Sequence, residues 1–321
     1  MRRLLGLWGA GLLTGLLGCA AAPELWSESP TLKVLTSFAP LYCFTANVAG
    51  PDAQVQCLLT GKGPHNYTGT VQDALRLREA DLFITNGLSL DDAFVTKLHK
   101  NAGNRALRLV RVGERLPADL LLAGGECHHD HDDPAHAHPH KHGPHDPHVW
   151  LGIPEAVRIV EIIRDELKAA DPAHAEGYSQ RAADYVARLN RLHQEGKALL
   201  ADKTERKLIS MHGAFAYFAR AFDLTIPETI QLDAGVEPTG NRLADLITLA
   251  TKEKIRVIAT EPQYSASRSA QKLLDSLKAA GLEAVSVEID PLETVSPDAL
   301  TAELYEQKMR QNLANLASVL K

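Results

Sequence analysis

The sequence is poor in cysteine, in aromatic residues and in positive charge, and these shortages argue against several classes of protein. It has four cysteines and 5% aromatic residues, and its formal net charge at pH 7 is −6. Because phosphate contacts need clustered lysine and arginine, we expect no nucleic-acid partner. No two cysteines have CxxC spacing, so we expect no redox catalysis. The sequence also lacks an HExxH motif, a P-loop and a dinucleotide-binding fingerprint, which argues against an enzyme.

One long apolar run is present, at the N-terminus. Two arginines precede the apolar stretch 4–17, and its last two leucines begin the sequence LLGC, which ends at Cys19. A run of this length is typical of a signal peptide and is short for a permanent membrane span. The ending resembles a bacterial lipobox, so we predict a signal peptide over 1–19 and a lipid anchor on Cys19. Cleavage after the following alanines, or an uncleaved anchor, would also place the protein in the periplasm or on the outer face of the cell membrane.

Three cysteines remain after this segment, namely Cys43, Cys57 and Cys127. In an oxidising compartment two of them can pair. One helix and a turn separate Cys43 from Cys57, so a disulfide between them is geometrically feasible. Two buried free thiols are the alternative, and the sequence does not decide between them.

Short strand-like and helix-like segments alternate along the rest of the chain. This alternation predicts βαβ units and mostly parallel sheets, the signature of an α/β fold. The predicted strands are 32–36, 55–59, 81–85 and 106–112 in the first half, then 207–210, 256–260 and 284–287 in the second half.

A long helix separates these two series. Asp171 and Pro172 offer a cap and a first turn, and apolar or small residues then recur at alternating spacings of four and three. A helix of about 25–30 residues spans roughly 40 Å, which suits a spacer between two lobes. A core helix of a single domain is the alternative at this point. If the helix is a spacer, we predict a lobe over 30–170, a linker helix over 172–203 and a second lobe over 207–321.

A histidine-rich segment interrupts the first series. Nine of the 14 histidines lie between His128 and His148, among prolines and few apolar residues. Such a composition cannot bury a core face, so we predict a disordered loop over 126–147. We interpret its histidines as auxiliary metal ligands, and the alternative is a tolerated low-complexity insertion. They are His128, His129, His131, His136, His138, His140, His142 and His145.

Four further residues stand where predicted strands end or where order resumes. His65 follows a glycine-rich turn, His148 follows the histidine-rich segment, and His212 and Asp290 follow two strands of the second half. Ligands of open α/β sheets bind at the carboxyl ends of strands. Three neutral imidazoles and one carboxylate suit tetrahedral Zn²⁺, and such binding should weaken at acid pH, where the imidazoles are protonated.

Seven segments, taken in order, resemble the zinc-type (cluster A-I) periplasmic metal solute-binding proteins of ABC transporters. These segments are 33–41 (KVLTSFAPL), 63–67 (GPHNY), 146–151 (DPHVWL), 212–218 (HGAFAYF), 237–238 (EP), 261–265 (EPQYS) and 290–292 (DPL).

The resemblance implies two α/β lobes joined by a long rigid helix, with Zn²⁺ in the cleft between them. The ligands it implies are His65, His148, His212 and Asp290. It also implies a monomer that delivers zinc to a membrane permease of an ABC importer.

A histidine at position 212 resembles the zinc branch, because manganese-type members usually carry a carboxylate there. One alternative is a protein for manganese or another divalent metal, or an adhesin or metallochaperone, with the same fold. The other is a three-histidine zinc hydrolase in which Glu261 would act as the general base.

Overall fold

The computed structural model describes residues 26–65, 67–124 and 143–321. The predicted signal peptide, the lipidation site Cys19, and the histidines from His128 to His142 lie outside the described residues. Among the residues that are described, no helix combines the length and the apolar character needed to cross a membrane.

The first half of the chain builds a four-stranded parallel sheet in the order β2-β1-β3-β4. Its elements are β1 (Leu32–Thr36), α1 (Ala39–Ala49), β2 (Ala53–Cys57), α2 (Val71–Glu79), β3 (Leu82–Thr85), α3 (Asp92–Ala102) and β4 (Arg108–Arg111). Local sequence explains two of these boundaries. Thr70 and Asp73 form a capping box at the start of α2, and α3 ends at Gly103, which takes a left-handed conformation.

Two long helices and a smaller sheet follow. The helices are α4 (Ile153–Ala170) and α5 (Ala175–Leu199). The second half then contains β5 (Leu208–Ile209), α6 (Ala216–Phe222), α7 (Gly240–Glu253), β6 (Val257–Thr260), α8 (Ser269–Ala279), β7 (Val285–Glu288) and α9 (Leu304–Val319). Its three strands are parallel in the order β5-β6-β7, so the predicted α/β class with two parallel sheets is confirmed.

The helix α5 lies between the two sheets in sequence and packs against helices of both halves. Within the predicted range 172–203, residues 172–174 form a 3-10 turn and the α-helix covers 25 residues. Arg181 donates to the carbonyl groups of Val48 and Ala49 at the end of α1, and Arg188 donates to Glu306 on α9. The lobe boundaries themselves stay a prediction.

One apolar core extends through both halves. The predicted seam of α5 is buried in it from Tyr178 to Gly196, whereas Leu199 is 45% exposed. The same core includes Phe218 on α6 and Leu313 on α9. A second, smaller core lies against the other face of the second sheet. The two sheets are therefore connected by shared packing as well as by α5.

The predicted disorder over 126–147 does not extend to residues 143–147. The backbone N–H of Gly124 donates to Pro144 O (2.9 Å), and the N–H of Asp146 donates to Leu122 O (3.0 Å). His145 forms an isolated antiparallel bridge with Ala123. These backbone pairs order the segment although its composition is polar, because they satisfy its amide groups as it approaches the core.

The disulfide considered between Cys43 and Cys57 does not form, since both thiols are free and buried. The Sγ atom of Cys43 lies 3.4 Å from Thr301 O, and that of Cys57 lies 3.0 Å from Leu59 O. Burial raises the pKa of each thiol to about 12. The Cys43 thiol faces the segment before α9, and the Cys57 thiol lies at the end of β2.

The shared core generates a first prediction. Leu189→Ala removes a fully buried side chain from the α5 seam and should lower the free energy of unfolding by about 2–5 kcal/mol. Leu199→Ala on the same helix is the matched control and should change it by less than about 0.5 kcal/mol. Equilibrium unfolding in urea measures both, and equal losses would contradict the packing described for α5.

Candidate metal centre

Four side chains from both halves of the chain meet at one buried point. They are His65, His148, His212 and Glu293. His65 lies in the loop between β2 and α2, and His148 directly precedes the 3-10 turn that leads to α4. His212 comes three residues after β5, and Glu293 comes five residues after β7. Both ligands from the second half, His212 and Glu293, thus follow the carboxyl ends of parallel strands, as expected for this class of fold.

The four ligand atoms have the spacing of a metal coordination shell. The Glu293 Oε1 atom lies 3.1 Å from His65 Nε2, 3.3 Å from His212 Nε2 and 3.7 Å from His148 Nε2. The Nε2 atoms of His65 and His148 are 3.2 Å apart. A tetrahedral shell with metal–nitrogen bonds near 2.0 Å places its ligand atoms about 3.3 Å apart, so an ion of the size of Zn²⁺ fits between them.

Two buried carboxylates orient two of the imidazoles from behind. The Nδ1 atom of His148 lies 2.8 Å from Asp146 Oδ1, and the Nδ1 atom of His212 lies 2.7 Å from Glu261 Oε2. A carboxylate that accepts the Nδ1 proton fixes the tautomer with its lone pair on Nε2. Both rings therefore present Nε2 as a ligand atom toward the point where the four side chains meet.

The charges of this site call for a cation. Burial opposes ionisation of His212, but the Glu261 and Glu293 carboxylates outweigh it and raise the pKa of this imidazole to about 10. Burial also opposes ionisation of Glu293, yet His212 and His65 hold its pKa well below the usual value. Burial raises the pKa of Glu261 and lowers that of His148. The carboxylates thus favour a positive charge among the imidazoles, and a bound divalent cation would supply it.

A cavity of about 410 Å³ leads to this point from the surface. It opens onto His65 and Glu293 between the loop of residues 61–67 and the loops that carry Gly235 and Tyr264. The His65 side chain is 14% exposed, whereas those of His148 and His212 are 3% exposed. An ion would therefore reach the site on the side of His65.

The structure brings together three of the four predicted ligands but not Asp290. The Asp290 carboxylate accepts the backbone N–H of Leu292 at 2.8 Å and pairs with Lys308 Nζ at 2.8 Å. Glu293, three residues further along, takes the place that was predicted for Asp290. The Asp-Pro start of the loop explains the error, because Asp290 lies only two residues after β7 but the turn after it directs a later residue into the site. His145 also lies outside the group of four.

Sequence reasoning missed Glu293 and the orienting roles of two other carboxylates. Asp146 and Glu261 are each followed by a proline, in Asp-Pro-His and in Glu-Pro-Gln-Tyr. This proline after a carboxylate was a usable signal for both residues. Nothing of the kind marks Glu293, since its role depends on the backbone conformation of the residues before it.

Comparison with known proteins agrees with this geometry. The family model described as "ZnuA: Zinc-uptake complex component A periplasmic" matches residues 34–319. The chain is 31% identical over 291 residues to the zinc-binding lipoprotein AdcA of Streptococcus pneumoniae serotype 4, covering 89% of this chain and 55% of that protein. It therefore spans about half the length of that relative.

Two further matches extend the comparison. The manganese ABC transporter substrate-binding lipoprotein PsaA of Streptococcus pneumoniae is 27% identical over 256 residues, or 78% of each chain. The crystal structure of the Zn(II)-bound ZnuA-like domain of AdcA from the same species superposes with a TM-score of 0.70 and 28% identity. That match covers 90% of this chain and 99% of that domain.

The carboxylate behind His212 generates a second prediction. Glu261→Gln should weaken metal binding roughly 10–100-fold, because the amide no longer holds the imidazole in the metal-binding tautomer as a carboxylate does. Glu283→Gln, which changes the same side chain at an exposed position, is the control and should leave binding unchanged. Competition against a chromophoric chelator measures both affinities. Equal affinity of the two variants would show that Glu261 does not support the site.

Proposed function

This chain belongs to the family of periplasmic zinc-uptake complex component A proteins, and from that premise we propose that it binds Zn²⁺ outside the cytoplasm and delivers it to an ABC importer. The observation that carries the proposal is the convergence of three imidazole Nε2 atoms and one carboxylate oxygen, all within 4.8 Å of one another. The relative AdcA, which is named as zinc-binding, supports the same ion.

The ligand chemistry favours zinc over manganese. Imidazole nitrogen is a good ligand for Zn²⁺, whereas Mn²⁺ prefers oxygen ligands in an octahedral arrangement. Here three of four ligand atoms are nitrogens, and three of the four side chains are buried. The relative PsaA, named as a manganese ABC transporter substrate-binding lipoprotein, keeps manganese as the second candidate.

The same geometry argues against the hydrolase alternative. A catalytic zinc site keeps one position open for water, but here four side chains supply a complete tetrahedral shell. The proposed general base Glu261 is also occupied, since its two oxygens accept hydrogen bonds from His212 and from Gln263 Nε2 (2.8 Å). We therefore assign the site to holding an ion rather than to activating water.

In this proposal the protein captures the ion and releases it to a partner. The ion enters through the cavity beside His65, and the loaded protein docks on the membrane permease of an ABC importer as a monomer. Lipidation of Cys19 would anchor it, with lobes over 30–170 and 207–321 on either side of the linker helix. The histidines of 128–142 would act as auxiliary ligands.

The third prediction separates the buried site from the histidine-rich segment. Metal-free protein should bind one zinc ion tightly, and deletion of residues 126–142 should leave this binding intact. His212→Ala should weaken it by at least about tenfold, or about 1.4 kcal/mol, because it removes one of four ligands. Isothermal titration with a competing chelator measures the affinity and the stoichiometry.

His174→Ala is the matched control, since this histidine is 48% exposed and pairs with Asp171 away from the site. Its affinity should equal that of the unchanged protein. If tight binding disappears with the deletion and does not depend on His212, the ligand assignment is wrong and the protein is better described as a histidine-tract metal buffer.

A further inference from the structure

The loop that carries Glu293 contains a backbone conformation that its residue does not favour. Leu292 has a φ of +61° and is 2% exposed. A leucine adopts the left-handed region rarely, because its Cβ approaches the backbone too closely. Such a conformation persists only where the surroundings impose it, and here it immediately precedes a residue of the metal centre.

Asp290 supplies the local constraint on this conformation. Its Oδ1 atom accepts the backbone N–H of Leu292 at 2.8 Å, which closes a turn across Pro291. The backbone of Asp290 is fixed in turn by the side chain of Asn312 on α9. That side chain accepts the Asp290 N–H at 2.9 Å and donates to the Asp290 carbonyl at 2.8 Å.

The same loop is tied to the segments that carry two of the histidines. The indole Nε1 of Trp150 donates to Pro291 O at 2.8 Å, and Trp150 stands two residues after His148. On the other side of Glu293, the N–H of Val295 donates to Thr60 O at 2.8 Å, in the loop that leads to His65. The conformation of residues 290–295 therefore sets the position of Glu293 relative to both histidines.

We propose that Asp290 is a positioning residue, which closes the turn that holds Leu292 left-handed and so directs the Glu293 carboxylate toward the three imidazoles. This inference rests on the proposed function, because it concerns how well the site holds zinc. Asp290 acts through its hydrogen bond to the Leu292 N–H and not through its charge. Its ion pair with Lys308 reaches the surface, where the lysine is 41% exposed and such pairs contribute little.

Three variants distinguish the turn from the charge. Asp290→Ala removes the turn and the charge, Asp290→Asn keeps an oxygen that can accept the Leu292 N–H, and Lys308→Ala removes the ion pair alone. We expect Asp290→Ala to raise the Kd for zinc roughly 10–100-fold, as loss of an orienting group typically does. The other two variants should stay within about threefold of the unchanged protein, a difference below about 0.7 kcal/mol.

A double-mutant cycle with Glu293→Ala tests whether the effect passes through Glu293. If it does, Asp290→Ala should change the Kd by less than about twofold once Glu293 is absent. The urea midpoint of each metal-free variant is measured in parallel, so that a general loss of stability is recognised separately from a loss of affinity.

Several results would overturn the inference. An equal loss of zinc affinity in Asp290→Asn and Asp290→Ala would assign the effect to charge. If Asp290→Ala lowers the affinity just as much in the Glu293→Ala background, the effect belongs to another part of the site. An unchanged Kd for Asp290→Ala would remove the role altogether. In each of these cases the unchanged protein still binds zinc and the proposed function stands, whereas absence of tight zinc binding by the unchanged protein would overturn both.

Discussion

The approach of three imidazoles to one buried carboxylate oxygen is the constraint on which the rest of the structure depends. Buried polar groups cost free energy unless each has a partner, and the groups behind the site supply these partners. Asp146 and Glu261 accept the Nδ1 protons of His148 and His212. They also add negative charge, so the arrangement is best compensated when a cation occupies its centre. The same interactions that orient the ligands therefore make the site favour a divalent ion.

The fold maintains this arrangement through contacts that cross between the halves of the chain. The hydroxyl group of Tyr217 on α6 accepts the Leu122 N–H at 3.0 Å and donates to Asp146 O at 2.9 Å. It thereby connects the segment after His212 with the segment before His148. Arg220, one turn further along α6, pairs at 2.7 Å with Glu155, which is buried on α4. With the shared core, these contacts oppose any separation of the two sheets, because each would be broken by it.

The sequence predicted the parts of this arrangement that depend on local pattern. Strand–helix alternation was sufficient for the two parallel sheets, and the strand ends located His65 and His212. Glu293 could not be found in this way, because its position depends on a left-handed Leu292 and on hydrogen bonds from Asn312 and Trp150, residues far away in the sequence. Likewise the contact of the Cys43 thiol with Thr301 O depends on how α1 packs against the segment before α9. Interactions of this range leave no periodic signal.

Because the halves share one core, capture of an ion should depend on movement of a loop rather than of a lobe. His148, His212 and Glu293 are buried. Hydrogen bonds hold the two histidines, and the turn before Glu293 holds the carboxylate, so these three ligands are preorganised. His65 is the most exposed of the four, it borders the cavity, and the glycines of residues 61–63 precede it. Glycine has the conformational freedom that a moving loop needs. In the proposed function the ion would therefore first meet the three buried ligands, and the loop that carries His65 would complete the shell and move again on release.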